Sequence, residues 1–153
     1  MMKVLVLHGP NLHLLGQRQN EIYGEDNLDT INFNITRQAK KNNFTVNIFQ
    51  SNSEHEIIDI ISKMHKEIDY MVFNPAAFTH TSIAIYDTLL ATKTKFIEVH
   101  LSNIDKREDF RRKSYFSPIA IGTISGFGSN SYLLALDAIK MHNQQNKLHK
   151  EQL

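Results

Sequence analysis

The sequence predicts an α/β three-layer sandwich: a five-stranded parallel sheet of flavodoxin-like order, 2-1-3-4-5, with helices on both faces. Three observations carry that expectation. Apolar runs of strand length alternate with segments of helical period along the chain. The strand runs are apolar almost without interruption, which marks strands buried on both faces. Five such units fit within 153 residues, and no repeat, linker or low-complexity stretch divides them.

The first strand is "KVLVLH" (3–8). From Leu28 the period changes: Leu28, Ile31, Ile35 and Ala39 recur at three- and four-residue spacing, a helix face. "FTVNIFQ" (44–50) is the second strand. "SNSEHEIIDIISKMH" then opens a helix, with Ser53 and Glu56 spaced as a capping box and Ile57, Ile58, Ile61 and Met64 as its buried face. "YMVFN" (70–74) is the third strand and "SIAIYDTLLAT" (82–92) the third helix. "KFIEVH" (95–100) is the fourth strand, and "PIAIGTISG" (118–126) contains the fifth. The last helix is "SNSYLLALDAIKMHNQQ" (129–145), with Leu133, Leu134, Leu136 and Ile139 along it.

The bulk numbers narrow the class. One domain over 1–153 is expected, with a polar tail, about 146–153, disordered beyond the last helix. A net charge of +1 gives no field that argues for nucleic acid or an anionic membrane. No apolar stretch reaches the length of a membrane span, and "MMKVLVLHGPN" does not read as a signal peptide. The absence of cysteine removes disulfides, thiolate nucleophiles and cysteine zinc sites, and is compatible with a cytoplasmic location.

An open α/β sheet binds ligands outside the carboxyl ends of its strands, near the switch in strand order. Gly9, Pro10 and Asn11 follow strand one, and "QSNSE" follows strand two. "NPAAFTHTS", with Asn74 and His80, follows strand three, and "HLSN", with His100, Leu101, Ser102 and Asn103, follows strand four. Glu98 lies two residues before His100 and so shares its face of the strand. A carboxylate beside an imidazole fixes its tautomer and favours the charged ring, a common way to build a general acid. The competing reading is a satisfied polar pair at a sheet edge. Asn74 could instead cap a turn, and Thr79 or Thr81 could either cap the third helix or help its N-terminus hold a substrate oxygen. Arg107 and Arg111 are four apart and would share a helix face, one of them available to a carboxylate or hydroxyl; Arg112 and Lys113 suit a solvated face.

The connection after strand one is long, "GPNLHLLGQRQNEIYG" (9–24), where two to six residues would suffice. It carries Arg18 and Tyr23. A guanidinium close to a phenol stabilises the phenolate and makes tyrosine a usable base, and closure of such a loop would exclude water. Tyr23 could equally anchor the loop by packing. There is no P-loop, no G-x-G-x-x-G, no G-x-S-x-G and no H-E-x-x-H, which speaks against dinucleotide, nucleophilic-serine and zinc chemistry.

Taken together, "GPNL" (9–12), "LGQR" (15–18), Tyr23-Gly24, "QSNSE" (50–54), "NPAAFTHTS" (74–82), "EVHLSN" (98–103), "REDFR" (107–111) with Ser114, and "SPIA" through "GFG" to "YLLAL" (117–136) resemble the type II 3-dehydroquinate dehydratases, dehydroquinases of the shikimate pathway of aromatic biosynthesis. The resemblance runs in order from about residue 3 to 140. It implies reversible dehydration of 3-dehydroquinate to 3-dehydroshikimate by a hydro-lyase with no metal or organic cofactor, in a dodecamer of four trimers. The same reaction serves quinate breakdown. Carried over by motif, Tyr23 is the base, Arg18 holds its phenolate, Asn11 stabilises an enolate, His100 is the acid and Glu98 orients it. Asn74, His80 and Arg111 bind substrate hydroxyls. The Leu101 and Ser102 backbone, with the Ser102 hydroxyl, grips the carboxylate. Asp87 reaches a neighbouring subunit's site, and Arg107 has a supporting ion-pair role.

The chain departs from the family pattern at His8 and His13, where asparagines are usual, at "RQN" (18–20), usually "REP", at Ala76 for glycine, at Phe78 for tyrosine and at Tyr86 for arginine. Two other readings stand beside the dehydratase: a non-catalytic flavodoxin-like binding module, and a related enzyme acting on another cyclic hydroxy acid.

Overall fold

The structure is a computed structural model that describes residues 1–17, 20–23 and 26–153, with Asn20 and Tyr23 described by backbone alone. Its elements are β1 (Met2–His8), α1 (Asn20–Tyr23), α2 (Leu28–Lys41), β2 (Phe44–Gln50), α3 (Glu54–Met64), β3 (Tyr70–Asn74), α4 (Ile83–Thr92), β4 (Phe96–His100), β5 (Gly122–Ser125) and α5 (Asn130–Glu151). The strands form one five-stranded sheet in the order β2-β1-β3-β4-β5. Every pairing is parallel. Fold class and strand order agree with the sequence expectation.

Strand alternation splits the core into two layers. Val4, Val6, Tyr70, Val72, Ile97 and Val99 pack with Ile31 and Ile35 of α2 and Ala135, Leu136 and Ile139 of α5. Leu5, Leu7, Met71, Phe73 and Phe96 face the other way, onto Ile57 and Ile61 of α3 and Ile85 and Leu89 of α4. Each fully buried side chain of this size stabilises the fold by roughly 1.5–3 kcal/mol relative to exposure. The register sets His8 beside both Gln50 and Asn74, and His100 beside Ser125. The strand ends therefore form one polar rim.

Several local expectations change. Ser53 caps α3 by accepting from the Glu56 N–H at 3.3 Å, but the Glu56 carboxylate takes the Ser51 hydroxyl at 2.6 Å, so the reciprocal half of the capping box is not made. Ile57 and Ile61 are buried, while Ile58 and Met64 are only half-buried. Ser82, not Thr79 or Thr81, caps α4, accepting from the Ile85 N–H at 3.0 Å. On α5, Tyr132, Ala135, Leu136 and Ile139 are buried, while Leu133 is half-buried and Leu134 exposed. That helix also continues to Glu151, past the end expected at 145. Residues 143–151 contain neither glycine nor proline, and good helix formers extend the backbone ladder without an apolar stripe to reveal it. The long connection holds a 3-10 turn at Leu12–Leu14 and the single helical turn α1, neither of which has a periodic signal. Among the described residues, no helix is long and apolar enough to cross a membrane.

Candidate active site

A cavity of about 170 Å³ opens at the carboxyl ends of β1, β3 and β4. Asn11, Asn74, His80, His100, Leu101, Ser102, Arg107 and Arg111 line it, together with Pro10, Leu12, Ala76, Ala77 and Ile104. Asn11, Asn74, His80, His100, Ser102, Arg107 and Arg111 are polar residues that end or follow strands in sequence, and they meet here. Arg18 and the side chain of Tyr23 lie outside the described residues. Glu21 and Ile22 of α1 line an adjoining depression with Ser102, Asn103 and Arg107, so the described turn of the long connection borders the cavity.

The segment after β1 is held from below. The Gly9 N–H donates to the Asn74 carbonyl at 2.7 Å. A Cβ at Gly9 would lie 2.4 Å from the Pro75 oxygen, so only glycine allows this approach. Asn11 adopts φ 68°, a left-handed conformation that asparagine tolerates better than most residues. Its N–H donates to Asn52 Oδ1 at 3.0 Å, and Gln50 Nε2 donates to the Gly9 carbonyl at 3.2 Å. The "QSNSE" segment thus supports the Asn11 loop.

Glu98 is fully buried and His100 nearly so. The imidazole Nε2–H donates to Glu98 Oε2 at 2.5 Å. Thr79 Oγ1 donates to the same oxygen at 2.8 Å. Ser114 and Ser117 hydroxyls donate to Oε1 at 2.7 and 3.1 Å. Burial pushes the Glu98 carboxyl up, but the His100 bond and charge with the Ser114 and Thr79 hydroxyls outweigh it, and it stays below the usual carboxylate range. An ionised Glu98 fixes the ring: Nε2 carries a proton, and Nδ1 is the atom left to exchange one with a ligand. The pair is not at a sheet edge, because β5 lies outside β4.

His80 is set by a similar rule. Its Nδ1 lies 2.6 Å from the Lys113 carbonyl, which can only accept, so Nδ1 carries the proton and Nε2 is left for the cavity. Asn74 is buried; its Nδ2 donates to the Tyr132 hydroxyl at 2.9 Å and its Oδ1 accepts from the Ala76 N–H at 3.2 Å. Arg107 and Arg111 both line the cavity but do not share a helix face, because separate 3-10 turns, Ile104–Lys106 and Asp109–Arg111, carry this segment. Arg111 Nε donates to Glu108 Oε2 at 2.9 Å. Arg112 is exposed and pairs with Asp109 at 3.0 Å, as a solvated face requires. Asp87 is exposed on α4 and is not among the residues lining the cavity. At the α4 N-terminus the Ser82 hydroxyl takes the Ile85 N–H, and the Thr79 hydroxyl turns to Glu98 and away from a capping role.

Sequence reasoning missed the hydroxyl ring of Thr79, Ser114 and Ser117, and a second buried network in which His8 Nδ1 meets the Tyr132 hydroxyl at 2.7 Å and His8 Nε2 meets Asn32 Oδ1 at 2.8 Å. The one available signal was His8 itself, a polar residue closing an apolar strand. Among the described residues, no three His, Asp or Glu side chains gather as a metal-ligand set.

Comparison with known proteins gives a consistent result. The model of the family described as "Dehydroquinase class II" matches residues 2–140. The chain is 55% identical over 139 residues to the 3-dehydroquinate dehydratase of Hahella chejuensis, covering 90% of this chain and 95% of that protein. It is 53% identical over 134 residues to that of Nitrosomonas europaea, covering 87% and 93%. The crystal structure of type II dehydroquinase from Butyrivibrio crossotus superposes with a TM-score of 0.87 at 42% identity, covering 90% of this chain and 96% of that one.

Proposed function

The chain belongs to the class II dehydroquinase family, and from that premise we propose that it is a hydro-lyase interconverting 3-dehydroquinate and 3-dehydroshikimate. The observation that carries this reading is the buried Glu98–His100 pair, which presents a proton-exchanging nitrogen to a small cavity rimmed by amide, hydroxyl and guanidinium groups. A cavity of about 170 Å³ suits a small polar molecule.

In this mechanism the Tyr23 phenolate, held by Arg18, removes the C2 proton. The C–H electron pair moves toward the ketone, and charge collects on its oxygen as an enolate. Asn11 supplies donor capacity there, and such preorganised donors lower the barrier. The enolate then collapses, the C1–O bond breaks, and the departing hydroxyl takes a proton from His100 and leaves as water. Glu98 orients the ring for that transfer. Asn74, His80 and Arg111 hold substrate hydroxyls, while the N–H groups of Leu101 and Ser102 with the Ser102 hydroxyl hold the carboxylate. Arg107 supports the site through charge. A dodecamer of trimers brings Asp87 of a neighbouring subunit to each site, a role that suits its exposure on α4.

The test is to add the protein to 3-dehydroquinate and follow the ultraviolet absorbance of the conjugated enone. The wild-type chain produces the rise and Tyr23→Phe abolishes it. Full turnover by Tyr23→Phe would remove tyrosine as the base. Light scattering that shows only monomer would remove the dodecamer.

A further inference from the structure

The second buried network is not needed to explain proton transfer, yet it ends on a residue of the cavity wall. We infer that His8 and Tyr132 are positioning residues for the dehydration, which orient the Asn74 carboxamide so that its second N–H is presented to the substrate. The inference rests on the reading of Asn74 as a substrate contact.

Counting protons leaves one arrangement. Asn74 Nδ2 lies 2.9 Å from the Tyr132 hydroxyl, and an amide nitrogen only donates, so the phenol oxygen accepts there. The single hydroxyl proton then goes to His8 Nδ1 at 2.7 Å, which must be the bare nitrogen of the ring. Nε2 therefore carries the ring proton and donates to Asn32 Oδ1 at 2.8 Å. The Asn74 Oδ1 is occupied by the Ala76 N–H at 3.2 Å. Turning the Asn74 carboxamide over would set its NH₂ against that N–H, donor against donor, and would leave His8 Nδ1 without a proton to accept. His8 and Tyr132 are both fully buried, so no water can substitute for a lost partner. What remains unspent is one N–H on Asn74, a residue that lines the cavity. The neutral ring this arrangement requires agrees with burial, which lowers the His8 pKa to about 4 even though the Asn32 bond raises it.

A positioning role predicts that the network acts through Asn74 and on affinity. Tyr132→Phe removes the acceptor of the Asn74 N–H, and His8→Leu removes the acceptor of the Tyr132 proton. Each is expected to raise KM for 3-dehydroquinate about tenfold while kcat stays within about threefold, the pattern of lost uniform binding. His8→Gln keeps a side-chain acceptor and is expected to recover most of the affinity that His8→Leu loses. In an Asn74→Ala background, Tyr132→Phe is expected to change KM by less than about twofold, because its route to substrate is gone. A merely structural role would lower the melting temperature without this dependence on Asn74.

Three results overturn the inference, each in its own place. Folded Tyr132→Phe with unchanged KM, while Asn74→Ala raises it, removes the network alone. An unchanged KM in Asn74→Ala removes Asn74 from the substrate contacts. No turnover by the wild-type chain removes the dehydratase reading on which both depend.

Discussion

Replacing His8 with glutamine deletes one titrating group from the core and leaves a hydrogen-bonding side chain in its place. The imidazole is fully buried. Burial lowers its pKa from 6.5 to about 4, with the Asn32 bond working in the opposite direction. A depressed value means that the unfolded chain binds this proton first as the pH falls. The stability tied to a neutral His8 is therefore complete above 6.5 and is lost progressively on descending towards about 4. Integrating the linkage between those two values, a drop from about pH 7 to about pH 5 costs about 2 kcal/mol from this group alone. The assay is urea denaturation of wild type and His8→Gln at one protein concentration, at several pH values across that interval. Only the change with pH is compared, so any constant cost of the substitution drops out, as do titrations shared by both proteins. Wild type should lose about 2 kcal/mol more than the variant over the interval. Parallel curves would refute the claim that His8 is held neutral by burial, and with it the proton assignment of the Tyr132 bond.

Glu98→Gln should lower kcat about a hundredfold, since a carboxamide can accept from the His100 ring but carries no charge to stabilise its protonated form; steady-state kinetics checks this. Ser114→Ala removes a donor to Glu98 and the acceptor of the Phe116 and Ser117 N–H groups, both at 3.0 Å, and should cost about 1–3 kcal/mol in denaturant unfolding. Ala76 has φ 50°, a left-handed conformation unfavourable to alanine, so Ala76→Gly should stabilise the protein by about 1 kcal/mol and raise its melting temperature. Gly9→Ala should destabilise by about 1–3 kcal/mol and raise KM, because its Cβ would meet the Pro75 oxygen at 2.4 Å and push the Asn11 loop from its seat.

Legibility in the sequence followed range. β3 occupies the residues marked by its apolar run, because burial on both faces writes itself into consecutive positions; β2, at the edge of the sheet, was legible instead by alternation, with Thr45, Asn47 and Phe49 exposed between less exposed neighbours. Glu98 and His100 could be paired from sequence because two residues on one strand share a face. Arg107 and Arg111 reached the cavity for a reason the spacing did not contain, since Asn103 accepts from the Asp105 N–H and starts a 3-10 turn that ends before Arg107. Tyr132 could not be read at all: its partner His8 lies 124 positions away, and a tyrosine on a helix looks like core until its hydroxyl has a neighbour.

The two buried networks lie on opposite faces of the sheet, and strand alternation is the cause. Val4 and Val6 point to the α2 and α5 layer, so His8 continues that series and meets Asn32 and Tyr132. Tyr70 and Val72 point the same way, which carries Asn74 to the same hydroxyl. Phe96 points to the α3 and α4 layer, so Glu98 and His100 follow it, and Glu98 meets Thr79, Ser114 and Ser117 as well as His100. On the proposed mechanism, one sheet separates the group assigned to proton exchange from the group assigned to orienting a binding amide. Residues without a shared partner act nearly additively. On that mechanism binding and proton transfer are expected to separate: changes behind Asn74 should move KM and changes behind His100 should move kcat, which steady-state kinetics of the two sets of variants checks. The departure at His8 falls on the binding side, leaving the Glu98–His100 side free of it.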